Sequence, residues 1–436
     1  MDIALLATLI LFPTLFLFIA VGLPISVSIL FASLITGLAT LGFDTVYYIT
    51  PQKIFNNVDS FALLAISLFM LAGNIMNQGG IARKLINLAL LLGGRLPASL
   101  AHANIIANML FGTLSGSALA CCSAIGGTMA PMMKENKYEP GFSAAVNIAS
   151  APTGILIPPS GLFILFSLVS GGAASVADLF LAGWIPGIMW GLGLMFVTFF
   201  IGKRLNLASA GERPHLSLIF TSFLDALPSL MLIVIIIGGI VGGIFTATEG
   251  AGIAVLYSLA LTIVYKSMNL EKFFKILIDT ALMSGVILFL IAASGVMSYV
   301  MVSTKIPAAI ADILLMISDN KIILLLIINV LLLIIGTFMD ITPAVLIFTP
   351  ILMPICVNQL GMDPVHFGVM MIANMAIGST TPPVGTVLFL GSSIANTKVE
   401  KVIPYLLPMF ASTIIVLLLI TFIPSLSLFI PSLLGS

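Results

Sequence analysis

Charge is scarce in this chain. Its 436 residues include 16 Lys and Arg and 16 Asp and Glu, 7% in all, where a soluble domain carries about 25%. Hydrophobic residues make up 60% and the mean hydropathy is +1.25. That balance excludes a water-soluble domain and a disordered chain. The apolar runs are continuous, which excludes a porin-type barrel with its alternating strands. The net charge is zero and there is no basic stretch, so no nucleic-acid partner is expected. Cysteine is limited to Cys121, Cys122 and Cys356, all in apolar surroundings and read as packed small hydrophobes. His102, His215 and His366 are isolated, so a haem or transition-metal site is not expected. There is no H-E-x-x-H, no G-x-x-x-x-G-K-[ST], and no G-x-G-x-x-G after a strand. With no ATP-driven motor, any pumping must run on an ion gradient. No nucleophile–base pair suggests an enzyme. Trp184 and Trp190 read as interface or packing residues. Met1-Asp2-Ile3 has no basic stretch, so the first apolar run reads as a retained span.

What is present is a set of long uncharged runs. A span needs roughly 20 apolar residues, and spans are expected near 3–22, 25–42, 61–80, 179–202, 226–245, 250–266, 276–301 and 402–423. The run 81–96, with Arg83, Lys84 and Arg95, reads as an amphipathic arm along the inner surface. Segments 97–172 and 321–397 are different. Their apolar stretches are interrupted by Gly, Ser, Thr, Asn and Pro. If 97–133 and 321–357 are hairpins that return to their own side, and the amino terminus is outside, 13 of the 16 Lys and Arg fall inside. Only Lys53, Lys305 and Lys321 stay outside. The positive-inside rule favours that arrangement, with both termini outside.

The two odd segments match at one offset. Gly112-Thr113 and Gly336-Thr337 are 224 positions apart, as are Pro158-Pro159-Ser160-Gly161 and Pro382-Pro383-Val384-Gly385. The chain therefore reads as two repeats, about 1–202 and 223–436, joined by 203–215. Five crossings in each make the repeats opposite in topology, as in many secondary transporters.

Backbone leaves helical geometry inside a membrane only where protein or water satisfies it. Paired prolines beside glycine break a helix and free carbonyls on one side and amides on the other. Freed carbonyls with Ser, Thr, Asn or Asp oxygens suit a hard cation. Freed amides at a half-helix start suit an anion. The anion candidates are Gly116, Thr153, Gly154, Pro158, Ser160 and Gly161 in the first repeat, and Thr380, Pro382 and Gly385 in the second. Asp340, in an apolar run, either faces a cation or caps the next helix. Glu249 reads as a cap. Ser115 and Ser117 read as ligands or small packing residues. Asn147 and Asn374 read as functional or as interhelical hydrogen-bonders.

The hairpin tip Ser115-Gly116-Ser117, the stretch Asn147 to Gly161, the tip Gly336 to Pro343 and the stretch Gly378 to Gly385 together resemble the large membrane subunit of tripartite ATP-independent periplasmic (TRAP) transporters. The likeness covers essentially the whole chain. Related stand-alone dicarboxylate carriers bear a Ser-Asn-Thr triplet at the tips that is missing here. The resemblance implies an all-α polytopic inner-membrane protein with two inverted repeats, each holding a re-entrant hairpin and a broken helix. It implies an elevator in which 97–172 and 321–397 move against a scaffold of 1–96 and 223–320, with 173–222 closing the first repeat and 398–436 as a C-terminal helix. It implies Na⁺ coupling, a small four-helix membrane subunit, a periplasmic binding protein and a carboxylate substrate such as sialic acid or a C4-dicarboxylate. By the same resemblance Na⁺ would be held by Ser115, Ser117, Asn147 and Ser150, and by Thr337, Asp340, Gly378 and Thr381. No arginine lies within the transport segments, which leans toward a hydroxylated monoanion such as sialic acid. The rivals are a stand-alone organic-anion carrier and a channel with two hairpins, although the Asn-Pro-Ala triplet of aquaporin hairpins is missing.

Overall fold

The computed structural model describes residues 3–94, 96–207, 216–318, 320–382 and 384–434. Arg95, Arg213, His215, Pro383 and most of the joining stretch 203–215 lie outside the described residues. The first repeat runs α1 (Ile3–Ala20), α2 (Ile25–Thr40), α3 (Phe43–Val58), α4 (Phe61–Gln78), α5 (Ile81–Gly93), α6 (Ser99–Ser115), α7 (Ala118–Glu135), α8 (Pro140–Ser150), α9 (Thr153–Leu156), α10 (Gly161–Val169), α11 (Val176–Ala182) and α12 (Trp184–Arg204). The second runs α13 (Leu216–Val241), α14 (Ala247–Val264), α15 (Leu270–Ser303), α16 (Ile306–Ile317), α17 (Lys321–Phe338), α18 (Ile341–Met353), continued by a π-helical turn to Gln359, α19 (Pro364–Gly378), α20 (Thr386–Ile394), α21 (Val399–Phe422) and α22 (Ser425–Leu434). Among the described residues nine helices are long and apolar enough to cross a membrane. This is an all-α polytopic membrane protein.

The 224-residue offset holds element by element. It carries α5 onto α16, α6 onto α17, α7 onto α18, α8 onto α19 and α10 onto α20, within a few residues at each boundary. Local chemistry repeats too. Glu139-Pro140 and Asp363-Pro364 start α8 and α19 with proline in the first turn, where its missing N–H costs nothing. Packing across the repeats is reciprocal: α10 lies on α18 and α19, and α20 on α7 and α8. Each hairpin ends inside the bundle, and the two tips line one cavity. The repeats are inverted, and both arms of the second hairpin are themselves among the nine helices long and apolar enough to cross. The first broken helix bends by 51° between Leu156 and Gly161.

The expected spans correspond to α1, α2, α4, α11–α12, α13, α14, α15 and α21, and the arm to α5. Helix α13 begins ten residues earlier than expected and α15 six. Among the described residues and outside segments 97–172 and 321–397, α3, α16 and α22 have no counterpart among the expected spans. Helix α3 is too polar for a span, with Asp44, Pro51, Gln52, Lys53, Asn56 and Asn57. Helix α16 is 12 residues long, too short to cross. In the second repeat the partner of α3 is fused to that of α4, giving the 34-residue α15.

Candidate functional site

Each hairpin tip is built by its own residues. Helix α6 ends at Ser115, and Gly116 turns left-handed (φ 59°) while its N–H returns to the Gly112 carbonyl at 2.8 Å. A side chain there would meet strain and the Gly161 nitrogen at 3.3 Å. Ser117 then caps α7, its Oγ accepting from Ala120 N–H. The Ser115 hydroxyl lies 3.0 Å from Cys121 Sγ. In the second hairpin Asp340 occupies the N-cap position of α18, with the Ile341 and Thr342 amides near its carboxylate but no capping hydrogen bond of full geometry. It is half-buried and lines a cavity. Glu249 is different: it completes a capping box with Thr246, as expected of a residue at a helix start.

Facing the tips are the two breaks. Pro152 has no N–H for the Ile148 carbonyl. The neighbouring Ala149 carbonyl accepts from the indole N–H of buried Trp190 at 3.1 Å. Asn108 is the hub of a buried network. Its Nδ2, with two hydrogens to donate, lies within reach of Asn104 Oδ1 (2.8 Å), Ser150 Oγ (2.8 Å) and Asn147 Oδ1 (3.1 Å), and Asn147 Nδ2 donates to the Cys122 carbonyl (2.9 Å). In the second repeat Asn374 Nδ2 donates to Asn329 Oδ1 at 2.7 Å. Thr153, Thr337, Thr380 and Thr381 hydroxyls donate back to carbonyls of Ser150, Ile334, Ile377 and Ile377. Ser160, the N-cap residue of α10, is fully buried, and its Oγ has no partner.

The tips and breaks enclose a cavity of 170 Å³. The first residues of four helices line it: Ala118 of α7, Gly161 of α10, Ile341 of α18 and Thr386 of α20. Each helix start carries a partial positive charge and amides without an intrahelical partner, of which Ala120 N–H is taken by Ser117 Oγ and Val387 N–H by the Ser379 carbonyl. Ser115 and Ser379, beside the C-terminal ends of α6 and α19, add the opposite polarity. Such a place suits an anion with hard cations alongside. Of the residues expected from sequence, Ser115, Gly116, Ser117, Gly161 and Asp340 line the cavity. Pro158, Ser160, Thr153, Gly154, Asn147, Ser150, Thr337, Gly378, Thr380, Thr381, Pro382 and Gly385 are not among its lining residues.

The cavity shares Ser115, Ser117, Asp340 and Thr342 with a vestibule of 740 Å³ toward Pro24 and Asn77. The scaffold contributes Ile66, Phe69 and Met70 of α4 and Ile287 of α15 to the cavity, and Asn74 and Asn77 to the vestibule. Sequence reasoning missed these. The signal was a polar stripe, Gly73-Asn74 and Asn77, on one face of an apolar span. Among the described residues no lysine, arginine or histidine lines either cavity, and Asp340 is the one charged side chain. No cluster of metal-ligating His, Cys, Asp or Glu occurs among the described residues.

Comparison with known proteins agrees with this architecture. The chain is 50% identical over 425 residues to the uncharacterised protein YgiK of Salmonella typhimurium, covering 98% of this chain and 97% of the relative. It is 37% identical to the sialic acid TRAP transporter large permease protein SiaM of Vibrio cholerae, covering 94% and 95%. It is 36% identical to the C4-dicarboxylate TRAP transporter large permease protein DctM of Rhodobacter capsulatus, covering 98% and 100%. The fold resembles the solved YdaH transporter of Alcanivorax borkumensis, with TM-score 0.64 at 15% identity, covering 87% of this chain and 88% of that one. Residues 12–426 match the model of the DctM component of tripartite ATP-independent periplasmic transporters. The chain therefore belongs to that transport family.

Proposed function

We propose that this chain is the membrane core of a Na⁺-coupled carrier for a small carboxylate. The observation that carries the reading is the meeting of four helix N-termini and two hydroxyl- and carboxyl-bearing tips at one cavity. The amides would hold the carboxylate. Ser115 and Ser117 at one tip, and Asp340 with Thr342 at the other, would offer oxygens to Na⁺. The two cation sites would flank the anion, so that each binding event favours the other.

With no basic side chain among the described residues lining the cavity or the vestibule, the anion would depend on helix ends and hydroxyls. This favours a monoanion rich in hydroxyls, such as sialic acid, over a C4-dicarboxylate. The SiaM and DctM relatives are nearly equally similar, so identity favours neither. The vestibule opens between the hairpin tips and α4 and α15, which otherwise touch α6, α10 and α18, and such a cleft supports an elevator-like movement of the hairpin body against a fixed scaffold. A small four-helix membrane subunit would complete the scaffold, and a periplasmic binding protein would deliver the substrate. The bias of Lys and Arg supports an orientation with both termini periplasmic, in the bacterial inner membrane.

The test is uptake into proteoliposomes holding this chain and a small membrane subunit, with labelled sialic acid or succinate. The reading expects uptake that requires both an inward Na⁺ gradient and a cognate binding protein. Uptake indifferent to the binding protein leaves a stand-alone carrier. Flux that never saturates and ignores Na⁺ leaves a channel.

A further inference from the structure

We infer that two glycine-on-glycine crossings, Gly112 on Gly154 and Gly336 on Gly378, set the spacing between each hairpin tip and the break that faces it, and so set the affinity for the coupling cation. The inference rests on the Na⁺-coupled reading above.

The two crossings are related by the 224-residue offset. In the first, a Cβ on Gly112 would stand 2.0 Å from Gly154 Cα, and one on Gly154 would stand 2.2 Å from Gly112 Cα. In the second, a Cβ on Gly336 would stand 3.0 Å from Gly378 Cα, and one on Gly378 would stand 2.5 Å from the Gly336 carbonyl carbon. Backbone rests on backbone at both places. Carbon atoms prefer separations of about 3.5–4.0 Å, so a methyl at Gly112 forces the hairpin and the break apart by roughly 1 Å or more. Gly112 lies three residues before Ser115. Its carbonyl receives the Gly116 N–H that closes the tip. Gly336 lies four residues before Asp340. A shift at either crossing therefore reaches the tip. A hard cation holds its oxygens within a window of a few tenths of an ångström. Pro159 and Ser379 of the breaks line the cavity beside Ser115, Ser117 and Asp340 of the tips, and an oxygen set drawn from both cannot stay in that window once the two separate. These glycines are positioning residues, since what they supply is the absence of a side chain.

The test compares Gly112→Ala and Gly336→Ala with Gly127→Ala, all in the full chain with its membrane partner in proteoliposomes. Gly127 is exposed on α7, and a Cβ there would meet nothing within 4 Å. The readout is the Na⁺ concentration for half-maximal uptake, taken separately from the maximal rate, with Na⁺-dependent thermal stabilisation of the purified protein alongside. Half-saturation is expected to rise roughly tenfold or more for Gly112→Ala, severalfold for Gly336→Ala, and not at all for Gly127→Ala. An assembled variant with wild-type Na⁺ half-saturation, or with only a reduced maximal rate, overturns the inference. So does an equal shift in Gly127→Ala. If Gly112→Ala does not assemble, Gly336→Ala, where the overlap is smaller, decides. Uptake by the unaltered protein that needs no Na⁺ would count against the coupled reading itself, a result separate from any variant's.

Discussion

Asp340 shows how one residue carries two roles in tension. It occupies the N-cap position of α18, with the Ile341 and Thr342 amides near its carboxylate, and it also lines the cavity and the vestibule. A charge in an apolar environment is expensive unless paired, so a cation is the natural partner. Asp340→Asn keeps the shape and removes the charge. Hydrogen bonds and contacts to a charged group contribute about 1.5–3 kcal/mol, which corresponds to about tenfold or more in affinity. Na⁺ half-saturation of uptake should rise by at least that factor, and an unchanged Na⁺ titration would remove Asp340 from coupling. Trp190 makes a second case. Its indole donates to the Ala149 carbonyl beside the break, so that carbonyl is taken before any ion arrives. Trp190→Phe leaves the acceptor buried and unpaired, at an expected cost of about 1–2 kcal/mol. Thermal unfolding of the purified protein measures it, and wild-type stability in the variant would show the bond to be dispensable.

At the scale of elements, the ends of helices matter more than their middles. The sequence reveals where helices break, because paired prolines and glycines cannot continue them. It reveals α5 through its basic, amphipathic run, and the tips through Gly116 and Asp340. It does not reveal which freed groups stay free. The Asn108 hub absorbs the side chains of Asn147 and Ser150, and Thr337 turns back to its own helix. The first of those outcomes depends on neighbours about forty residues away in the chain. The arrival of four helix starts at one cavity is likewise tertiary. Helix α3 was hidden because its polar residues resemble a loop. Where a cap is purely structural, its loss should be felt in stability alone. Thr246→Ala breaks the box at the start of α14, at an expected cost of about 1 kcal/mol. It lies away from both cavities, so a drop in unfolding temperature without a change in Na⁺ half-saturation is expected. A shift in Na⁺ response would link α14 to coupling.

At the scale of the whole molecule, the repeat explains the division into moving and fixed parts. Reciprocal packing of α10 on the second hairpin and α20 on the first joins the halves into one body around the cavity. Sequence alone left α12 as the closing helix of the first repeat and α21 as a C-terminal helix. Their packing says more: α21 lies on α8 and α19, α12 on α6 and α8, and the two lie on each other. Phe142 of α8 meets Tyr405 of α21 with ring centroids 5.6 Å apart. These helices should travel with the hairpins, whereas α4 and α15 across the vestibule should stay behind. Two cross-links separate the alternatives. A disulfide between Phe142→Cys and Tyr405→Cys joins parts of one body, and uptake should persist. A short bifunctional thiol reagent between Asn77→Cys and Ser123→Cys spans the vestibule they both line, and uptake should stop and return when a cleavable reagent is cut. The native cysteines are buried, so the introduced thiols should react first. Arrest by the first link would place α21 in the scaffold. Transport through the second would mean that substrate crosses without relative motion of the two bodies, which the elevator reading does not allow.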